Sequence, residues 1–188
     1  MNREELCSLL KEYPVIAAVK DEKGLDACLF TECRVVFILY GNVMNICDIV
    51  KRVKNAGKTA FVHIDLIEGL SAKEVAVEYI VRNTGADGII STKQALIKSA
   101  SAHGLLTVQR FFMLDSLAID TLKKQIKGEC MDVIEILPGC IPKIISKIVQ
   151  ITDLPVIASG LLQDKEDIKE ALSSGAAAVS GTKFGLWQ

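Results

Sequence analysis

The chain has 188 residues, half of them hydrophobic, with 22 Lys and Arg against 23 Asp and Glu for a formal net charge of −1. Such a balance excludes a disordered or fibrous chain and offers no global electrostatic footprint for nucleic acid. Mean hydropathy is +0.33 with only 5% aromatic residues, so the core is aliphatic, as expected of strands covered on both faces.

Met1-Asn2-Arg3-Glu4-Glu5 is acidic and opens a helix (Arg3–Tyr13), not a signal peptide, and no apolar run reaches membrane-spanning length. Short runs rich in branched residues then alternate with helical stretches. The predicted strands are Pro14–Lys20, Val35–Tyr40, Thr59–Leu66, Gly88–Ser91, Leu105–Phe111, Val133–Leu137, Pro155–Ala158 and Ala177–Ser180. Ser71-Ala-Lys-Glu74 reads as a capping box, and Gly57, Gly85, Gly104 and Gly175 read as left-handed helix ends. Repeated strand–helix–strand units imply a parallel sheet, and eight of them imply one closed (β/α)8 TIM-like barrel spanning 1–188. An open doubly wound sheet is the alternative. Such barrels typically take about 250 residues, so the crossovers must be lean. Gly181 to Gln188 is too short for a full last helix. The N-terminal helix, with a partner subunit in a homo-oligomer, is expected to cover the surface left bare. The six cysteines form no C-x-x-C pair and lie in apolar segments, as reduced thiols do in a cytoplasmic protein.

Ligands of such barrels bind at the C-terminal ends of the strands. Ala158-Ser159-Gly160-Leu161 and Ser180-Gly181-Thr182-Lys183 end the last two strands. A phosphate needs several main-chain N–H groups to converge, and Gly160 and Gly181 remove the Cβ atoms that would block it. Thr182 can add a hydroxyl, and Phe184–Trp187 can form a short extra helix. Alternatively, these glycines only make tight turns. The third strand carries His63, Asp65 and Glu68, with period two placing His63 and Asp65 on one face. These three could orient ligand hydroxyls, bind a metal, perform acid–base chemistry, or simply satisfy one another. On strand five either Gln109 or Arg110 points inward, and Arg110 would suit a phosphate. Glu135 is a charge within an apolar strand, so it is either paired or reads ligand hydroxyls at the wet mouth. Lys20 and Lys93 add positive charge at the rim. His103 precedes a strand and is expected to be structural. No lysine sits within strands six or seven to form a buried Schiff base, and the site is better equipped to hold a ligand than to transform it.

Four motifs follow one another in order: Phe61-Val-His-Ile-Asp-Leu-Ile-Glu-Gly-Leu70, Asp87-Gly-Ile-Ile-Ser-Thr92, Gly104-Leu-Leu-Thr-Val-Gln-Arg-Phe111 and Ile134-Glu-Ile-Leu-Pro-Gly139. With them the chain resembles the glycerol-3-phosphate-responsive antiterminator family, the glycerol uptake operon regulators, from about Tyr13 to Trp187. The resemblance implies a TIM-barrel-like protein, without a cofactor or metal, that binds glycerol 3-phosphate as effector. It would then act on leader mRNA of glycerol-utilisation genes, preventing a terminator from forming. The site read from the strand ends fits that ligand, with Ser159, Gly160, Leu161, Ser180, Gly181 and Thr182 for the phosphate and Lys20, His63, Asp65, Glu68, Arg110 and Glu135 as polar contacts. Relative to the family's usual pattern, Ser159-Gly160 stands where a Gly-Gly pair is common. Ser180-Gly181-Thr182-Lys183 stands where a Ser-Thr-Ser-Asn-like run is common. The RNA role rests on resemblance alone, although two basic clusters exist, Lys51-Arg52-Val-Lys54 with Lys58, and Lys123-Lys124 with Lys127. The competing readings are an enzyme acting on a triose or glycerol phosphate (a phosphodiesterase, isomerase or lyase) and a phosphate sensor acting through a protein partner.

Overall fold

Eight runs of β-branched and small apolar residues do form strands, bounded within one or two residues of the expected limits except in the third. In the computed structural model, which describes residues 1–188, they are β1 (Val15–Val19), β2 (Val35–Ile38), β3 (Thr59–His63), β4 (Gly88–Ser91), β5 (Leu106–Phe112), β6 (Val133–Leu137), β7 (Val156–Ser159) and β8 (Ala178–Gly181). All pair in parallel in sequence order, and β8 returns to β1 through Val15↔Val179 and Ile16↔Ser180. The sheet therefore has no edge, which removes the open-sheet alternative.

Helix α1 (Arg3–Glu12) precedes the barrel. Between successive strands lie α2 (Glu22–Leu29), α3 (Ile46–Asn55), α4 (Glu74–Asn83), α5 (Gln94–Ala102), α6 (Ser116–Ile126), α7 (Pro142–Val149) and α8 (Lys165–Ser173). Strand alternation divides the apolar residues into two cores. Ala17, Val19, Val36, Ile38, Val62, Ile134 and Ala158 face the helices. Ile16, Ala18, Phe37, Phe61, Ile90, Val108, Val133, Ile157 and Ala178 fill the barrel, where Phe37 and Phe61 meet edge to face with centroids 5.7 Å apart.

Helix α1 does not cover the barrel wall as expected. Its Leu6 and Leu10 join the interior cluster and so plug the barrel from below, because their four-residue spacing aims both at the open N-terminal end. The place of the missing last helix is instead filled by a 3-10 turn, Phe184–Leu186. Leu186 and Trp187 are buried in the outer core, and the Trp187 indole Nε1–H donates to the Gly181 carbonyl at 2.8 Å.

Three local expectations fail for local reasons. The Ser71–Glu74 capping box does not form, because α4 begins only at Glu74 with Lys73 at its N-cap and no side-chain cap. Gly85 is not left-handed, whereas Gly57, Gly104 and Gly175 are. There the helix end is closed by Thr84, whose N–H and hydroxyl both donate to the Ile80 carbonyl, at 3.0 and 2.7 Å. The third strand stops at His63, and Ile64–Leu66 is a 3-10 turn, so period-two alternation no longer governs Asp65.

Candidate functional site

At the C-terminal end the barrel interior changes from apolar to polar. Alternation continues inward from Phe61 to His63, from Val108 to Arg110, from Val133 to Glu135, from Ile157 to Ser159 and from Ala178 to Ser180. Strand register sets Arg110 beside Glu135 and Ser159 beside Ser180. The Arg110 Nε–H donates to Glu135 Oε2 at 2.6 Å. Glu135 Oε1 accepts from the Ser159 hydroxyl at 2.5 Å and the Ser180 hydroxyl at 3.1 Å. The question left open on strand five is thereby answered. Arg110 points inward, while Gln109 faces α6 and donates to Gln125.

Above this network lies a cavity of about 100 Å³, lined by Arg110, Ser159–Leu162 and Ser180–Thr182, with Ala18 and Leu39 as an apolar wall opposite. The main-chain N–H groups of Gly160, Leu161, Leu162, Thr182 and Lys183 donate to no protein acceptor. Unpaired donors in two adjoining loops, beside a guanidinium, are groups suited to holding an anion. Gly160 (φ 76) and the non-glycine Leu161 (φ 61) are both left-handed, a conformation that costs an L-residue roughly 1–2 kcal/mol. Close approach is also enforced below the loop. A Cβ on Gly139 would lie 2.5 Å from the Ser159 nitrogen, and Gly139 N–H donates to the Gly160 carbonyl at 3.0 Å. The N-terminus of α8 adds no donor to these, since its own Asp164 caps Glu166 and Asp167.

The remaining expected residues lie elsewhere. Asp65 leans toward the end of β4, where its carboxylate accepts from the Ser91 hydroxyl at 3.0 Å and the Thr92 N–H at 2.8 Å, with Lys93 Nζ 3.7 Å away. Burial raises its pKa, but the bonds from Thr92 and Ser91 outweigh burial and hold the carboxyl below its usual range. Glu68 is exposed, and its main chain pairs with the Gly41–Val43 loop. Lys20 is exposed at the rim. His63 is 2% exposed, its Nδ1 has no partner, and burial followed by the nearby Arg110 charge pushes its pKa down to about 4. It is therefore a neutral imidazole at pH 7. No three His, Cys, Asp or Glu side chains stand close enough to share a metal ion, so His63, Asp65 and Glu68 are not one cluster. His103 closes α5 through Nδ1 and the Ser99 carbonyl, 2.8 Å apart. Ala18, Leu39, and the Leu162 and Lys183 N–H groups were missed from the sequence. Ala18 is an ordinary apolar strand position and Leu39 an apolar residue just past the end of β2, and a main-chain donor carries no residue signal.

A family model for glycerol-3-phosphate responsive antiterminators matches residues 15–187. The chain belongs to this family. An uncharacterized Escherichia coli K12 protein, YgcP, is 45% identical over 182 residues, covering 97% of this chain and 95% of its own. A crystal structure from Listeria monocytogenes, described as a glycerol uptake operon antiterminator regulatory protein, superposes with a TM-score of 0.88 at 34% identity, covering 92% of this chain and 94% of that one. An antiterminator-related protein of Thermotoga maritima gives 0.82 at 35%, covering 93% and 98%. A deoxyribose phosphate aldolase from Aeropyrum pernix gives 0.70 at 13% identity, covering 98% and 91%, a likeness of fold alone. No helix of this antiterminator-family chain is long and apolar enough to cross a membrane.

Proposed function

We propose that this antiterminator-family barrel is a cytoplasmic, non-catalytic regulator that binds glycerol 3-phosphate between β5, β7 and β8. Loaded with that effector, it acts on leader mRNA of glycerol-utilisation genes. The unpaired N–H groups of Gly160, Leu161, Leu162 and Thr182 on the Arg110 cavity, with that of Lys183 next in the chain, carry the ligand half of this reading. They supply donors and positive charge for a phosphoryl group, while the apolar wall of Ala18 and Leu39 leaves room for only a small carbon skeleton. The RNA half is supported by family membership. The non-catalytic reading is supported by the lining, which contains no lysine, histidine or carboxylate to attack or move a proton.

Glycerol 3-phosphate at a hundredfold excess over its Kd adds about 2.7 kcal/mol of stability. In a domain of this size that raises Tm by roughly 5–10 °C. Glycerol, which lacks the anion, leaves Tm unchanged. No shift at millimolar glycerol 3-phosphate would overturn the ligand assignment. Ligand-dependent retention of a glycerol-gene leader transcript on a filter tests the RNA half, and turnover of a glycerophosphodiester would favour an enzyme instead.

A further inference from the structure

Glu135 does not line the cavity. It is 0% exposed, and its carboxylate accepts from protein donors: Arg110 Nε–H on one oxygen, the Ser159 and Ser180 hydroxyls on the other. Arg110, by contrast, lines the cavity, and its terminal guanidinium nitrogens donate to no protein group. Ser159 and Ser180 immediately precede Gly160, the left-handed turn of one loop, and Gly181, the last residue of β8 from which the other loop leaves. One carboxylate thus reaches the guanidinium and the base of both loops.

Desolvating such a pair is expensive, and an apolar pair of similar volume would often stabilise a core at least as well. What the pair provides is geometry. An Nε–H bond to a carboxylate fixes the plane of the guanidinium and leaves the terminal nitrogens directed away from the acceptor.

We propose that Glu135 is a positioning residue, which sets Arg110 and the two loops for an incoming phosphoryl group and never touches the ligand itself. The proposal rests on the reading of this cavity as the phosphate site. It predicts a sign opposite to simple electrostatics. A carboxylate beneath an anion is repulsive, so its removal by charge alone would tighten binding. Loss of positioning weakens it.

Titration of wild-type, E135Q, E135L, R110M and R110M/E135L proteins with glycerol 3-phosphate and with inorganic phosphate tests this by calorimetry. Gln keeps an acceptor for Nε–H, so E135Q binds within about threefold of wild type, whereas E135L weakens binding by about tenfold or more. Because Glu135 acts in part through Arg110, the loss in R110M/E135L is smaller than the product of the two single losses. Wild-type or tighter binding by E135L, or losses that multiply in the double variant, would overturn the proposal. E135L strands a buried guanidinium and can fail to fold. The Arg110 Nε–H NMR resonance of unliganded protein is the second readout, expected to exchange slowly in wild type and in E135Q. Exchange in wild type as fast as in a free arginine would overturn the positioning role. Wild-type protein that binds neither anion overturns the phosphate reading, and a slowly exchanging Nε–H would then leave Glu135 as a structural partner only.

Discussion

Proton linkage at His63 ties the polar layer to stability. Its pKa falls to about 4 in the fold, through burial first and the Arg110 charge second, with Glu135 and Asp65 pulling the other way. The unfolded value is about 6.5, so below pH 6.5 the unfolded chain takes up the proton and the folded one does not. Stability is therefore full above pH 6.5 and falls as pH drops toward 4, by about 3 kcal/mol in all. Asp65 loses its contribution only at lower pH, since its folded pKa lies below 3.8. Urea unfolding at pH 7 and pH 5 should show this slope in wild type and a flatter one in H63Q. An equal slope in both would show that His63 is not the group responsible. At Gly160 the constraint is conformational and electrostatic together. Its φ of 76 makes any L-residue strained, and G160D adds a negative charge at the proposed anion seat. We expect G160D to fold with a Tm a few degrees lower and to lose the glycerol 3-phosphate shift. A retained shift would displace the phosphate from this loop.

Elements at the two ends of the chain do work that a longer barrel gives to extra helices. Leu10, 1% exposed, closes the barrel floor, and truncating such a side chain to Ala costs about 2–5 kcal/mol. Trp187, 3% exposed, stands where a last helix would pack, and W187A should cost about 3–5 kcal/mol. Chemical denaturation measures both. W187F keeps most of the packing but loses the bond to the Gly181 carbonyl, so it should lower ligand affinity more than L10A does. Equal affinities would uncouple the C-terminal turn from the β8 loop. The loops over β2 and β3 are likewise pinned, by the Tyr79 hydroxyl donating to the Val43 carbonyl at 2.6 Å.

For the whole molecule, a net charge of −1 means that RNA would have to meet a local patch. The cluster around Lys51 is largely committed to the fold. Arg52 pairs with Glu22 and Asp26, Lys54 with Asp87 at 2.6 Å, and buried Lys58 donates to the Thr31 and Cys33 carbonyls. Lys123, Lys124 and Lys127 are exposed and form no ion pair. Charge reversal at these three should reduce transcript retention without changing the ligand-induced Tm shift, and retention should fall steeply with salt. Unchanged retention would move the RNA to another face. Reversal at Lys58 should instead lower Tm.

The sequence by itself determined the architecture. Eight branched runs separated by amphipathic stretches admit little but a closed barrel once both strand faces are apolar, and the four ordered motifs assign the family. Gly160 and Gly181 also marked the two loops that line the cavity at the barrel mouth, because a strand end without Cβ is a local property. Tertiary structure alone decided the direction of each charge. Arg110 and Gln109 differ by one residue, and only register within the closed barrel says which one enters it. Asp65 followed a turn that no periodicity announces. Glu135, read either as paired or as a group for ligand hydroxyls, is paired, with partners 24 to 45 residues distant in sequence. Such partnerships depend on which strands become neighbours, and that is fixed only when the barrel closes.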